Sequence, residues 1–144
     1  RRRRSDTLPQ VDLRQTLTDV LAADDGIAWA YLFGSATRGG AFRDVDVAVM
    51  PREGAYDKLL DLGMLVARLE EACGYKVDLV DARDATLTLL GPLLCERVVL
   101  LDRDPERRGV WEIETARRWL DFRPAWERFQ EVRAEALRRR LAGN

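Results

Sequence analysis

Two apolar runs, Ile27 to Phe33 and Val45 to Met50, flank a Gly-rich polar stretch from Gly34 to Arg43. In the first run Ile27, Trp29, Tyr31 and Phe33 alternate with the smaller Ala28, Ala30 and Leu32, the period-two pattern of a strand. The second strand, Asp44 to Met50, is stopped by Pro51, which cannot donate to a central ladder. Side chains two apart in a strand share a face. Val45, Val47 and Val49 therefore cover one side, while Asp44 and Asp46 project together from the other.

The remaining punctuation builds a small sheet around this pair. Leu8-Pro9 opens a helix through Val11, Leu13, Leu17, Val20 and Leu21, closed at Asp24-Asp25-Gly26. Tyr56 to Cys73 is amphipathic and ends at Gly74, and Tyr75 to Val80 reads as a third strand. Asp84 caps a helix over 85–97 with a bend at Gly91-Pro92, and Val98 to Leu101 forms a short fourth strand. Two helices follow, 105–120 and 124–141, broken at Asp121-Phe122-Arg123-Pro124. This order predicts an α/β (α+β) fold: a small mixed sheet of about four strands flanked by helices. Residues 5–102 form the domain, 103–144 a helical extension packed on it, and 1–4 a disordered or appended basic tail.

Composition narrows the chemistry. The chain has no histidine. That removes imidazole bases, Ser-His-Asp and Cys-His nucleophile systems, and zinc sites that need imidazole. Cys73 and Cys95 lack a Cys-x-x-Cys spacing, so no iron–sulfur or all-cysteine zinc site is implied, and both read as small core residues. Chemistry is left to carboxylates, hydroxyls, arginines, two lysines, backbone amides or a bound metal. Net charge is −1, distributed as +4 over residues 1–4, −8 over 5–102 and +3 over 103–144. An acidic body does not wrap nucleic acid by neutralising phosphates, so no direct nucleic-acid binding is expected. No apolar stretch approaches the roughly 18 residues of a membrane span, and no apolar segment follows the opening arginines as in a secretory leader. A cytoplasmic protein is expected.

Asp is disfavoured in strands, and adjacent carboxylates repel. With no lysine expected beside Asp44 and Asp46, a divalent metal is a natural partner; Mg²⁺ favours carboxylate oxygens together with substrate phosphates. The plainer alternative is an exposed strand start. Asp78 lies mid-strand in Lys76-Val77-Asp78-Leu79-Val80. Buried there, it would need a metal shared with Asp44 and Asp46 or a salt bridge to a nearby arginine. Gly34-Ser35 follows an apolar strand, where Gly permits a tight turn and free amides at a short helix start would bind phosphate. Arg38, one turn on, lies within reach of a phosphate oxygen. The plainer alternative here is a strand–turn with a capping serine.

Gly34-Ser35, Asp44-Val45-Asp46 and Asp78 together resemble the nucleotidyltransferase superfamily typified by DNA polymerase β, in its minimal bacterial (MNT) form. The local Gly34-Ser-Ala-Thr-Arg-Gly39 is similar to the family's Gly-Ser-x-Ala-Arg-Gly, with Thr37 for Ala. The resemblance spans residues 10–102 in element order, and Trp119 to Trp126 resembles the helical tail of MNT antitoxins paired with HEPN toxins. It departs from the pattern in a shorter Ser35–Asp44 loop and in Arg43, which replaces a common Ser. The resemblance implies a polymerase β-like fold with a C-terminal helical extension. It further implies two Mg²⁺ ions held by Asp44, Asp46 and Asp78, and ATP phosphates held by Gly34, Ser35 and Arg38. The implied activity is AMP transfer to a tyrosine hydroxyl of a HEPN toxin, in a hetero-oligomeric antitoxin–toxin pair. HEPN ribonucleases use an Arg-x-His type motif, so a chain without histidine falls on the antitoxin side.

Two other classes stay open at this point. One is a non-catalytic antitoxin that neutralises its partner by complex formation, a reading the shorter loop keeps alive. The other is an aminoglycoside-type nucleotidyltransferase, disfavoured because no second lobe for a sugar is evident. The aromatic tail (Trp111, Trp119, Phe122, Trp126, Phe129) reads first as core and otherwise as a partner surface.

Overall fold

A computed structural model of the chain describes residues 10–38, 40–56 and 59–143, the side chains of 10, 11, 59 and 60 excepted. The expected basic tail at 1–4 and the helix opening at Leu8-Pro9 lie outside these residues.

Helix α1 (Gln10–Ala22) presents Leu13, Leu17 and Leu21 at four-residue intervals, one stripe that is fully buried. It leads into β1 (Ile27–Phe33), a 3₁₀ turn (Gly34–Thr37) and β2 (Asp44–Pro51). Then come α2 (Leu59–Cys73), β3 (Lys76–Asp81), α3 (Leu87–Glu96), β4 (Val98–Asp102) and α4 (Pro105–Ala142). The four strands make one mixed sheet in the order β3-β2-β1-β4, with β1 antiparallel to both neighbours and β2 parallel to β3. The expected small sheet flanked by helices is what the chain forms.

Both sheet faces are covered, and β1 is buried along its whole length. On one face Ile27, Ala30 and Leu32 join Val45, Val47 and Val49 under α1 and α2. On the other, Trp29, Tyr31 and Phe33 join Ala48, Met50, Leu90 and Leu93, with Trp111 of α4 packed on top. Asp44 and Asp46 alternate with the valines, so they share this second face with Ala48 and Met50 but lie beyond the end of its core.

Gly91 of α3 lies against Trp119 of α4. A Cβ there would collide with the Trp119 indole, which is how two helices of this size pack so tightly. Asp104 caps α4 by accepting from the Arg107 amide at 3.2 Å, and Pro105 occupies the first turn. Where the sequence predicts a break at 121–124, the helix runs unbroken for 38 residues with Pro124 inside it. Pro124 removes one backbone hydrogen bond. Its segment is exposed to solvent, so the carbonyl left over can be met by water. No helix among the described residues is long and apolar enough to cross a membrane.

The aromatic tail divides. Trp111 packs against Trp29 and Tyr31 at centroid distances of 5.9 and 6.2 Å. Trp119, Phe122, Trp126 and Phe129 form a row along one face of α4 at 6.4, 6.2 and 5.8 Å, and Phe122 and Phe129 are exposed. Cys73 is buried as expected, whereas Cys95 is exposed, because it falls on the outer side of α3.

Polar contacts fasten the first half of α4. Glu112 accepts from the Tyr31 hydroxyl at 2.7 Å, from Arg97 at 2.9 Å and from Arg108 at 2.9 Å, and Arg108 reaches Asp102 at 2.8 Å. Burial pushes the Glu112 carboxyl up, but the hydrogen bonds from Arg97, Tyr31 and Arg108 outweigh it and leave it below the ordinary value. Glu112 therefore contributes stability above its unfolded value of about 4.3, and that contribution is lost as pH falls through the folded value. Glu112→Ala is expected to lower the unfolding free energy by about 2–3 kcal/mol at neutral pH, measured by urea denaturation, with the deficit shrinking below about pH 4.

Candidate active site

The parallel ladder between β2 and β3 sets Asp46 opposite Asp78 and Asp44 opposite Lys76. Residues paired across a ladder point to the same face, so Asp44, Asp46 and Asp78 gather at one end of the sheet. Two expectations change in detail. Asp78 is exposed rather than buried, because β3 is the edge strand, so its carboxylate carries no large desolvation cost. It forms no salt bridge to a described residue, which removes the arginine-pair alternative. A lysine does stand beside the pair: Lys76 is the register partner of Asp44. The spacing of a strand says nothing of which residue will face it across a ladder.

Asp46 is the most enclosed of the three. Burial first, then the charges of Asp78, Asp44 and Glu96, hold its carboxyl above the ordinary value. Its cover comes from the turn after β1. Gly34 has φ +74°, a left-handed conformation, and a Cβ at that position would strike the Asp46 carboxylate. Glycine is thus required twice over, for the turn and for the close approach.

The 3₁₀ turn is closed by the Thr37 hydroxyl donating to the Gly34 carbonyl at 2.7 Å and the Arg38 amide donating to Ser35 at 3.2 Å. Ala36 anchors it in the core, while Ser35 and Arg38 are exposed at the rim. The Arg38 guanidinium donates to Glu96 from Nε at 3.2 Å and from Nη2 at 3.0 Å. The Gly34 amide donates to the other oxygen of the same carboxylate at 3.1 Å. Glu96, the last residue of α3, is the member of this cluster that the sequence reading missed. One signal was available: an acidic residue in the last helical turn opposes the helix dipole and needs a reason to be there.

All the donors are hard oxygens, a set that suits a divalent cation such as Mg²⁺. In the side-chain positions seen, no group of three acidic residues among those described is drawn together tightly enough to grip one ion. Exposed Asp78 and half-buried Asp44 have room to rotate toward Asp46.

Comparison with known proteins bears on this arrangement. Residues 15–106 match the family described as Polymerase beta, Nucleotidyltransferase. The chain is similar in fold to a chain from the complex of tri-AMPylated Shewanella oneidensis HEPN toxin with MNT antitoxin. The TM-score is 0.68 at 19% identity, covering 86% of this chain and 98% of that one. It is also similar to a chain from a toxin–antitoxin complex with AMP-PNP, with TM-score 0.64 and 20% identity over 86% of this chain and 97% of the other. A minimal nucleotidyltransferase shares 30% identity with TM-score 0.54, over 63% of this chain and 95% of its own length. No curated protein sequence is detectably similar. The family match covers well over half of the chain, and its residues 15–106 take in the turn and all three aspartates: the chain belongs to the polymerase β nucleotidyltransferase family.

Proposed function

We propose that this chain is the antitoxin of a pair with a HEPN toxin, and that it transfers AMP from ATP to a tyrosine hydroxyl of that toxin with the help of Mg²⁺. The observation that carries the reading is the register of β2 and β3, which sets Asp46 beside Asp78 under the Gly34 turn. The fold shared with chains from a complex holding a tri-AMPylated HEPN toxin, and from one with AMP-PNP, supports the partner and the nucleotide.

In this reading Asp44, Asp46 and Asp78 hold the metal, two ions in all. Mg²⁺ bound there would offset the mutual repulsion of the carboxylates and the charge of the phosphates. The amides of Gly34 and Ser35, the Ser35 hydroxyl and Arg38 orient the β- and γ-phosphates at the rim. The acceptor hydroxyl oxygen forms a bond to the α-phosphorus, and the bond from that phosphorus to the bridging oxygen breaks, pyrophosphate leaving with the electron pair. Asp78, the exposed carboxylate, takes the hydroxyl proton, since the chain has no histidine for the task. A second reading, neutralisation by binding alone, is favoured by one observation: among the described residues no three carboxylates are close enough to grip one ion in the positions seen.

Exchanging both Asp44 and Asp46 for Asn is expected to abolish AMP transfer to a co-purified HEPN toxin, followed by intact mass, while the complex still forms. Undiminished neutralisation of the toxin by that double variant in cells would hand the role to the binding reading. Gly34→Ala displaces both the turn and the Asp46 carboxylate, and is expected to slow transfer by about 100-fold.

A pH series tests the metal. The raised folded value of Asp46 means that its charge costs stability at pH above its unfolded value of about 3.9, a cost that fades as pH falls through the folded value. Asp46→Asn is therefore expected to raise Tm in the absence of Mg²⁺ near neutral pH. Added Mg²⁺ should raise the Tm of the wild-type chain but not of this variant, and the rise should shrink as protons compete for Asp46. An equal Mg²⁺ response in both chains would remove Asp46 from the metal site.

A further inference from the structure

The proposed phosphate-binding turn already holds an anion. Glu96 takes the Gly34 amide with one carboxylate oxygen, at 3.1 Å, and the Arg38 guanidinium with the other, at 3.0 and 3.2 Å. These are two of the donors that the reading above assigns to ATP. Glu96 is the only charged residue of α3, whose sequence is otherwise Leu-Thr-Leu-Leu-Gly-Pro-Leu-Leu-Cys. At the helix C-terminus its charge faces the negative end of the dipole, so it does nothing for the helix that carries it. Stability of α3 therefore does not explain Glu96, whereas occupancy of the turn does.

We infer that Glu96 is a resident competitor for the phosphate site, standing where two phosphate oxygens would bind, so that a nucleotide enters only by displacing it from the Gly34 amide and Arg38. The inference rests on the nucleotidyltransferase reading of the turn. Displacement is feasible because the Glu96 side chain is 31% exposed at the end of its helix and its partner Arg38 is 67% exposed, so both can swing into water. The exchange also confers selectivity. A carboxylate held by three charge-assisted hydrogen bonds yields to a polyphosphate, which brings several oxygens and its own cation, more readily than to a single phosphate. After transfer, the return of Glu96 to the same donors would speed the departure of pyrophosphate.

Binding of ATP and of inorganic tripolyphosphate, each with Mg²⁺, is measured by calorimetry on the full chain and on Glu96→Gln and Glu96→Asp. Gln removes the charge, and Asp keeps it but is too short to span both donors. Both variants are expected to bind each probe about tenfold more tightly than wild type, the gain that follows when a mostly closed site is opened. Inorganic phosphate should gain a detectable affinity in the variants. Adding Arg38→Ala to Glu96→Gln should cancel most of the gain. Wild-type binding with equal or weaker binding in both variants would overturn the competitor role and leave the nucleotide reading standing. No binding of either probe by any of the three chains would overturn both. Circular dichroism of each variant verifies that the fold is kept.

Discussion

Two carboxylates set side by side across a parallel ladder repel each other, and the site end of the molecule is organised around that repulsion. Asp46 and Asp78 are register partners, with Asp44 two residues back on the same face. A fold built for stability alone would place an apolar or oppositely charged residue opposite Asp46. Here Lys76 sits opposite Asp44 instead, and Glu96 adds a fourth negative group. The strain is tolerable because it lies at the open end of the sheet, where Asp78 is solvated, and because a fully buried strand, β1, anchors the ladder beside it. Gly34 fits closely over the Asp46 carboxylate, where a Cβ would collide with it. Like charges gathered at one end of a sheet are a common feature of functional sites.

Helix α4 lives in two physical regimes. Its first half is held by burial and by charge: Trp111 on Trp29 and Tyr31, Trp119 against Gly91, and Glu112 between Arg97, Arg108 and the Tyr31 hydroxyl. Beyond Leu120 the helix covers no core. It is supported by its own side chains, including the i,i+4 pairs Arg123–Glu127 at 3.3 Å and Glu135–Arg139 at 3.2 Å. Such pairs contribute only about 0.3–0.5 kcal/mol each. The aromatic row from Trp119 to Phe129 crosses from the first regime into the second, so its inner end packs as core residues do and its outer end meets solvent. The core reading of these aromatics describes the inner end of the row, while its outer end is exposed.

The strands were legible because their signals are local. Alternation from Ile27 to Phe33, the valines of β2 and the stop at Pro51 need no knowledge of the rest of the chain. The Asp44–Asp46 face followed from the pleat alone. The burial of Asp78 was misjudged because apolar neighbours at 77, 79 and 80 suggested an interior strand, whereas β3 lies at the sheet edge. Pro124 misled because a proline costs a helix a hydrogen bond and some crowding without having to end it, and α4 runs on through it. Glu96 escaped notice because it lies far along the chain from the Gly-Ser and Asp-x-Asp motifs, and Lys76, two residues before Asp78, was not expected to face Asp44.

Which residues carry oxygen donors, which turn can reach φ +74°, and which elements alternate or repeat every four residues are properties of the chain itself. So is the exclusion of imidazole chemistry, which needs only the absence of histidine. Pairing is different. That Asp46 meets Asp78 rather than Lys76 depends on a parallel register between strands joined through α2, and a shift by one residue would have turned Asp78 to the other face. That Glu96 takes the Gly34 amide depends on how α3 packs against the turn. Contacts between distant segments are set by the burial of both sheet faces at once, a condition that no stretch of sequence satisfies alone.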